Sequence, residues 1–246
     1  MSKSNREYRN SHLDPKIVNY YEHTVYGHGS SYSLLWNLEK SILLKIFKKY
    51  NLQNNSTTYL DFACGTGRVI SFLEDKVRNS FGIDVSQNMI NLALPKLHRS
   101  KLMVVDLASD DKLLDEKYDL ITAFRFFLNS QPELRKTAMN ILGQKLSTNG
   151  LLIFNIHGNT ICYRFPIVIL YRLFGKPLQQ MTYFQVKNLV HQNGLKIVGY
   201  YGVGFIPKFL YPIFPKTWIM TFEKILSKTL LKYLCLDMIF VCKKNE

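Results

Sequence analysis

Two glycines two apart, Gly65 and Gly67, stand in the run Leu60-Asp61-Phe62-Ala63-Cys64-Gly65-Thr66-Gly67-Arg68. An acidic residue, Asp84, follows nineteen positions after Gly65, in Phe81-Gly82-Ile83-Asp84-Val85-Ser86. Glycines at that spacing let the backbone turn sharply after a strand and approach a ligand closely, and the free N–H groups of the next helix attract negative charge. An acid about 20 residues further on, at the tip of a second strand, is placed to accept hydrogen bonds from ribose hydroxyls. The pattern is that of a strand-loop-helix for a nucleotide-type ligand. A dinucleotide fingerprint asks for a third Gly or Ala where Ile70 stands, so close approach of the helix to a pyrophosphate is not provided for. Asp61, directly ahead of the loop, suits a cationic ligand and would repel a pyrophosphate.

The elements that must position these residues alternate as a parallel sheet requires. Thr58 to Phe62, Ser80 to Asp84, Leu102 to Val105, Leu120 to Phe124 and Leu151 to Ile156 read as strands. Helices are expected from Arg68 to Lys76, from Gln87 to Leu94 and from Pro132 to about Leu146, with Asn149-Gly150 turning the chain into the fifth strand. Thr182 is the expected N-cap of a helix to His191, and Leu195 to Val203 and Leu236 to Cys242 read as strands six and seven. Ahead of the first strand, apolar residues recur at helical spacing from Ser33 to Tyr50, behind a polar leader that gathers Tyr20, Tyr21 and His23.

Taken in order, D-F-A-C-G-T-G-R, G-I-D-V-S-Q-N-M, V-V-D-L and Y-D-L-I-T-A-F resemble the class I S-adenosylmethionine-dependent methyltransferase family over roughly residues 55 to 157. The resemblance implies an α/β fold: a Rossmann-like seven-stranded sheet with helices on both faces. It also implies S-adenosylmethionine as cofactor. Asp61, Ala63 and the Gly65 to Gly67 loop would hold its amino-acid end, and Asp84 would take the ribose hydroxyls. Met89 would lie along the adenine face, Asp106 with Leu107 would meet the adenine edge, and Val85 and Phe124 would complete the cofactor set. Residues 1–50 would form an N-terminal helical lid over a domain at 51–246, with aromatic and basic insertions at 158–181 and 204–235.

Methyl transfer from a sulfonium is an in-line displacement, so positioning supplies much of the catalysis. His157 is the expected general base, because its ordinary pKa lies near neutrality and it ends a strand on the ligand-binding edge. Arg125 could fix a carboxylate or phosphate of the acceptor, or pair with a carboxylate such as Glu133. Asn129, Tyr20 and Tyr21 are the other candidates on the acceptor side. After strand four the chain reads Phe124-Arg125-Phe126-Phe127, not the Asn or Asp followed by Pro-Pro and an aromatic that accompanies methylation of exocyclic base amines. No Pro-Cys dipeptide offers a thiolate for pyrimidine C5 methylation.

The four cysteines show no metal-ligand spacing, and a reduced cytoplasmic setting is expected. The polar, charged start is not that of a secretory signal, and the longest charge-free interval is too polar to span a membrane. From Thr160 onward 12 Lys and Arg face 3 acids, and 16 of the 33 aromatic residues fall there, so positive charge and aromatic surface concentrate in the last third. That combination fits a membrane interface or a lipid-like anionic acceptor, and it also fits nucleic acid. The reading favours a methyltransferase acting on an O, N or C nucleophile of a small, apolar or lipid-linked acceptor, with peripheral membrane contact. The alternatives are an RNA methyltransferase, which the motifs disfavour, and a cofactor-binding partner protein without turnover.

Overall fold

A sheet covered by helices on both faces needs central strands that are apolar on both sides. β4 (Tyr118–Ala123) meets that demand, with five of its six residues buried. The computed structural model describes residues 31–53, 56–106 and 116–245. Four further strands, β1 (Thr58–Phe62), β2 (Asn79–Asp84), β3 (Lys101–Val104) and β5 (Leu146–Ile156), run parallel with β4. β7 (Asp237–Lys244) then enters antiparallel between β5 and β6 (Leu195–Val203), giving the order β3-β2-β1-β4-β5-β7-β6. This is the Rossmann-like seven-stranded sheet that the motifs imply. The order reverses between β1 and β4, the place where open α/β sheets bind ligands beyond the carboxyl ends of their strands.

One face carries α1 (Ser31–Lys49), α2 (Arg68–Leu73) and α3 (Gln87–Ala93), whose Leu35, Phe47, Ile70 and Ile90 share a core with Ile153, Ile239 and Val241 of the sheet. The other face carries α4 (Pro132–Lys145) and α6 (Tyr183–Gln192), packed through Met139, Leu142, Val186 and Val190. Thr182 caps α6 reciprocally: Gln185 N–H donates to its Oγ1 at 3.2 Å, and its own N–H donates to Gln185 Oε1 at 2.8 Å.

Three differences from the sequence expectation have physical causes. Asn149-Gly150 is not a turn; β5 begins at Leu146 and runs through a bulge opposite Tyr118 to Leu120. A Cβ on Gly150 would lie 2.8 Å from the Tyr118 carbonyl oxygen, so the close approach there requires glycine. Second, α1 packs against the sheet as a core helix, and the rest of the expected lid, residues 1–30 with Tyr20, Tyr21 and His23, lies outside the described residues. Third, both insertions contain helices: α5 (Phe165–Leu173) before α6, and α7 (Lys216–Leu226) between β6 and β7.

Candidate functional site

The loop after β1 is built from left-handed backbone. Ala63, Gly65 and Gly67 take φ of 52°, 55° and 79°. A side chain on Gly65 would meet nothing within 4 Å, so the loop opens there onto free space. One on Gly67 would meet Ala93 Cβ at 3.0 Å, because α2 and α3 pack closely at that point. Asp84, at the tip of β2, joins the pieces: Oδ2 accepts the Gly65 N–H at 2.9 Å and Oδ1 accepts the Ser86 N–H at 2.9 Å. A carboxylate is rich in acceptor sites, about four lone pairs over its two oxygens. Val85 and Asp106 are half-buried beside it. A nucleoside with vicinal hydroxyls fits this edge.

Asp61 works from beneath the loop rather than facing the open space. It is buried, its Oδ2 accepts the Ile70 N–H of α2 at 3.1 Å, and its Oδ1 accepts the Thr122 hydroxyl of β4. Burial pushes its pKa up to about 7 against these hydrogen bonds and the nearby Arg68. Negative charge that is costly in isolation is stabilised when a cation settles above it.

A second cluster sits at the ends of β4 and β5. Arg125, at φ 63°, directs Nη2 to Glu39 Oε1 at 3.1 Å and to Asp237 Oδ2 at 3.0 Å. Arg68 meets the other oxygen of Glu39 at 2.9 Å, and Asn155 donates to Glu39 Oε1 at 3.0 Å while accepting the Arg125 N–H at 2.7 Å. Burial pushes the Glu39 pKa upward, but Arg125, Arg68 and the hydrogen bonds outweigh it and hold the carboxyl below its usual range. Burial and the neighbouring Glu39 push Asp237 up. Ala63 and Arg125 are two of three non-glycine residues with positive φ among the described residues, and both lie on this edge, where backbone strain is retained for a site.

His157 follows β5 one residue beyond the Ile156–Met238 pair, so it stands at the level of Asp237. Burial, then the cations Arg125, Lys208 and Arg68, hold its pKa well below 6.5. It is uncharged at neutral pH. The side-chain atoms His157 Nδ1, Asp237 Oδ1 and Tyr211 Oη are buried without a hydrogen-bond partner among the described residues. Such orphaned atoms call for an explanation, and a polar group of a bound molecule supplies one.

The structure gives several candidate residues partners within the protein. Arg125 pairs with Glu39 and Asp237. Asn129 donates to the Arg125 carbonyl at 2.7 Å and so holds the strained turn. Met89 and Phe124 are buried in the core. Leu107, Tyr20 and Tyr21 lie outside the described residues. Glu39, Thr122, Asn155, Tyr211 and Asp237 escaped the sequence reading; the one usable signal was a Glu at position 39 inside an otherwise apolar helical stripe.

Residues 60–150 match a family model described as a methyltransferase domain. The malonyl-[acyl-carrier protein] O-methyltransferase of Priestia megaterium (strain DSM 319 / IMG 1521) is 24% identical over 139 residues, 54% of this chain and 49% of that protein. The chain spans about half the length of the curated relatives it matches. Among solved structures, an S-adenosylmethionine-dependent methyltransferase of Clostridium acetobutylicum ATCC 824 superposes with a TM-score of 0.62 at 15% identity, over 94% of this chain and 98% of that one. Magnesium protoporphyrin IX methyltransferase of Synechocystis PCC 6803, with bound SAH, gives 0.61 at 16% identity, over 94% and 100%. At these identities the structural likeness is one of fold.

Proposed function

We propose that this chain, whose residues 60–150 match a methyltransferase domain model, is a class I S-adenosylmethionine-dependent methyltransferase that moves a methyl group to an O, N or C nucleophile of a small apolar or lipid-linked acceptor. The observation that carries the reading is the left-handed loop at Gly65 and Gly67 tied to Asp84 across the ends of β1 and β2. When bound, the cofactor supplies an electrophilic methyl carbon on a sulfonium. The residues present fit it: Asp84 sets a carboxylate at the tip of β2 where ribose hydroxyls would lie, Gly65 leaves room for the amino-acid end, and the buried Asp61 favours a cation overhead. Val85 and Asp106 border the base end, while Asp61 and Ala63 set the shape of the loop.

On the acceptor side, His157 would accept a proton or a hydrogen bond from the nucleophile, since it needs no prior deprotonation. Asp237 Oδ1 and Tyr211 Oη would orient the same group, and Arg125 would hold the Asp237 carboxylate in place. The curated relative named above acts on a carrier protein's malonyl group, which is not a nucleic acid. The aromatic insertions beside the cluster favour an apolar acceptor met near a lipid–water interface.

Methyl-labelled S-adenosylmethionine, incubated with the protein and with separated lipid-soluble, aqueous small-molecule and RNA fractions, tests this. Label in the lipid-soluble fraction is expected. Label in RNA would replace the reading by an RNA methyltransferase, and label nowhere, with the cofactor bound, would leave a binding partner protein.

A further inference from the structure

The insertions at 158–181 and 204–235 hold 18 of the 23 large apolar side chains exposed among the described residues. Nothing in the fold requires this, because the sheet has its helices on both faces already. α5 is apolar nearly all round, with Arg172 its single charge, yet not one of its residues is buried; Leu173 is 78% exposed. A helix apolar all round belongs in a core or in lipid. At about 1.5 Å per residue, nine residues reach about 13 Å, far short of the roughly 30 Å of a bilayer core. Among the described residues no helix is long and apolar enough to cross a membrane.

α7 presents two stripes. Ile219 and Glu223 face inward, and Glu223 anchors the helix by accepting the N–H groups of Gly204, Phe205 and Ile206 at 2.9 to 3.0 Å. Trp218, Phe222 and Ile225, at i, i+4 and i+7, form the neighbouring stripe and are all more than half exposed. The two insertions share a base, since Asn159 donates to the carbonyls of Tyr233 and Cys235 and accepts the Ile161 N–H. They are therefore tied together at their base.

The charge on the insertions has one sign. The two segments contain eight Lys and Arg and a single acid, Glu223, which is buried. A two-fold pairing of copies through this face would set the same cations against one another, so self-association is disfavoured. An apolar, Trp- and Phe-bearing surface rimmed by Lys and Arg complements acyl chains and anionic headgroups together.

We propose that α5 and the Trp218, Phe222, Ile225 stripe of α7 lie in the headgroup region of an anionic bilayer, docking the protein on the membrane surface with the acceptor side of the sheet toward the lipid. The inference goes beyond methyl transfer and stands without it. Sedimentation with phosphatidylcholine vesicles, with and without phosphatidylglycerol, reads the binding. Trp218 emission in a Trp36→Phe background reads the insertion. The protein should bind only vesicles containing phosphatidylglycerol, with a blue shift of Trp218 and weakening by salt. Lys216→Glu with Lys224→Glu should reduce partitioning about twentyfold or more. Leu170→Glu with Leu173→Glu should abolish the blue shift. Both variants should keep their affinity for S-adenosylmethionine, since neither touches the Gly65–Asp84 cradle; where one does not, the wild-type emission shift and salt dependence decide. Equal binding to both vesicle types, no binding, unchanged binding by both variants, or a dimer broken by the leucine changes would overturn the proposal.

Discussion

Asp84 accepts the Gly65 N–H through Oδ2 at 2.9 Å, so the loop after β1 and the tip of β2 are locked together before any ligand arrives. The second carboxylate oxygen holds the Ser86 N–H, which leads into α3. Pre-ordering of this kind lowers the entropic cost of binding, because the glycine loop is already in its left-handed form.

Asp61 should make cofactor binding depend on pH. Its folded pKa of about 7 lies above its ordinary 3.8, so the folded protein holds the proton more tightly than the unfolded chain. This group's contribution to stability is therefore greatest below the lower value and declines as pH rises toward the upper one. A cationic ligand prefers the ionised form, and the coupling is reciprocal. Affinity for S-adenosylmethionine should strengthen from about pH 6 to about pH 8, with proton release on binding, by at most tenfold per pH unit. Calorimetry in buffers of differing ionisation enthalpy measures both quantities; flat affinity and no proton release would remove Asp61 from the binding account.

His157 should set the acid limb of turnover. Because burial and the cations Arg125, Lys208 and Arg68 hold its pKa well below 6.5, kcat/KM for the acceptor, measured with S-adenosylmethionine saturating, should stay level as pH falls through 6.5 and decline only at lower pH. His157→Ala should lower kcat about a hundredfold or more while leaving the cofactor Kd unchanged. A limb at 6.5 would contradict the lowered pKa, and unchanged turnover with the true acceptor would reduce the residue to a structural one.

Glu39 is the keystone of the buried ion cluster. Glu39→Gln removes the buried carboxylate that both Arg68 and Arg125 meet and should cost about 3 to 5 kcal/mol, a fall in Tm of roughly ten degrees. Asp237→Asn should cost much less, since burial already favours the protonated form of that carboxyl. Thermal melts of both variants give the order; the reverse order would mean that Asp237 carries the charge.

The left-handed loop gives a pair of opposite effects. Gly67→Ala adds a methyl 3.0 Å from Ala93 Cβ on backbone at φ 79° and should destabilise by about 1 to 3 kcal/mol. Ala63→Gly relaxes a residue at φ 52° and should stabilise by up to about 1 kcal/mol, reduced by the added freedom of the unfolded chain. Denaturant midpoints that move in the same direction for both would contradict the strain argument.

The parts legible in the sequence are those written in short stretches. The glycine loop, Asp84 and the Thr182 cap lie within local segments whose spacing maps directly onto backbone geometry. Glu39, Arg125 and Asp237 meet across 86 and 112 residues, and no periodicity marks such partners. Gly150 read as a turn because Asn-Gly usually is one, yet the neighbouring Tyr118 carbonyl makes it a bulge. α5 was hidden because it is apolar on nearly every side, and α7 because Pro207, Pro212 and Pro215 precede it without entering it.

Titration calorimetry with S-adenosylmethionine, comparing the wild-type protein with Asp84→Ala, addresses the central claim most directly. The account predicts micromolar-order binding by the wild type and a loss of about five- to a hundredfold in the variant, from hydrogen bonds worth roughly 1 to 3 kcal/mol. No heat with S-adenosylmethionine, together with tight binding of NAD, would contradict it.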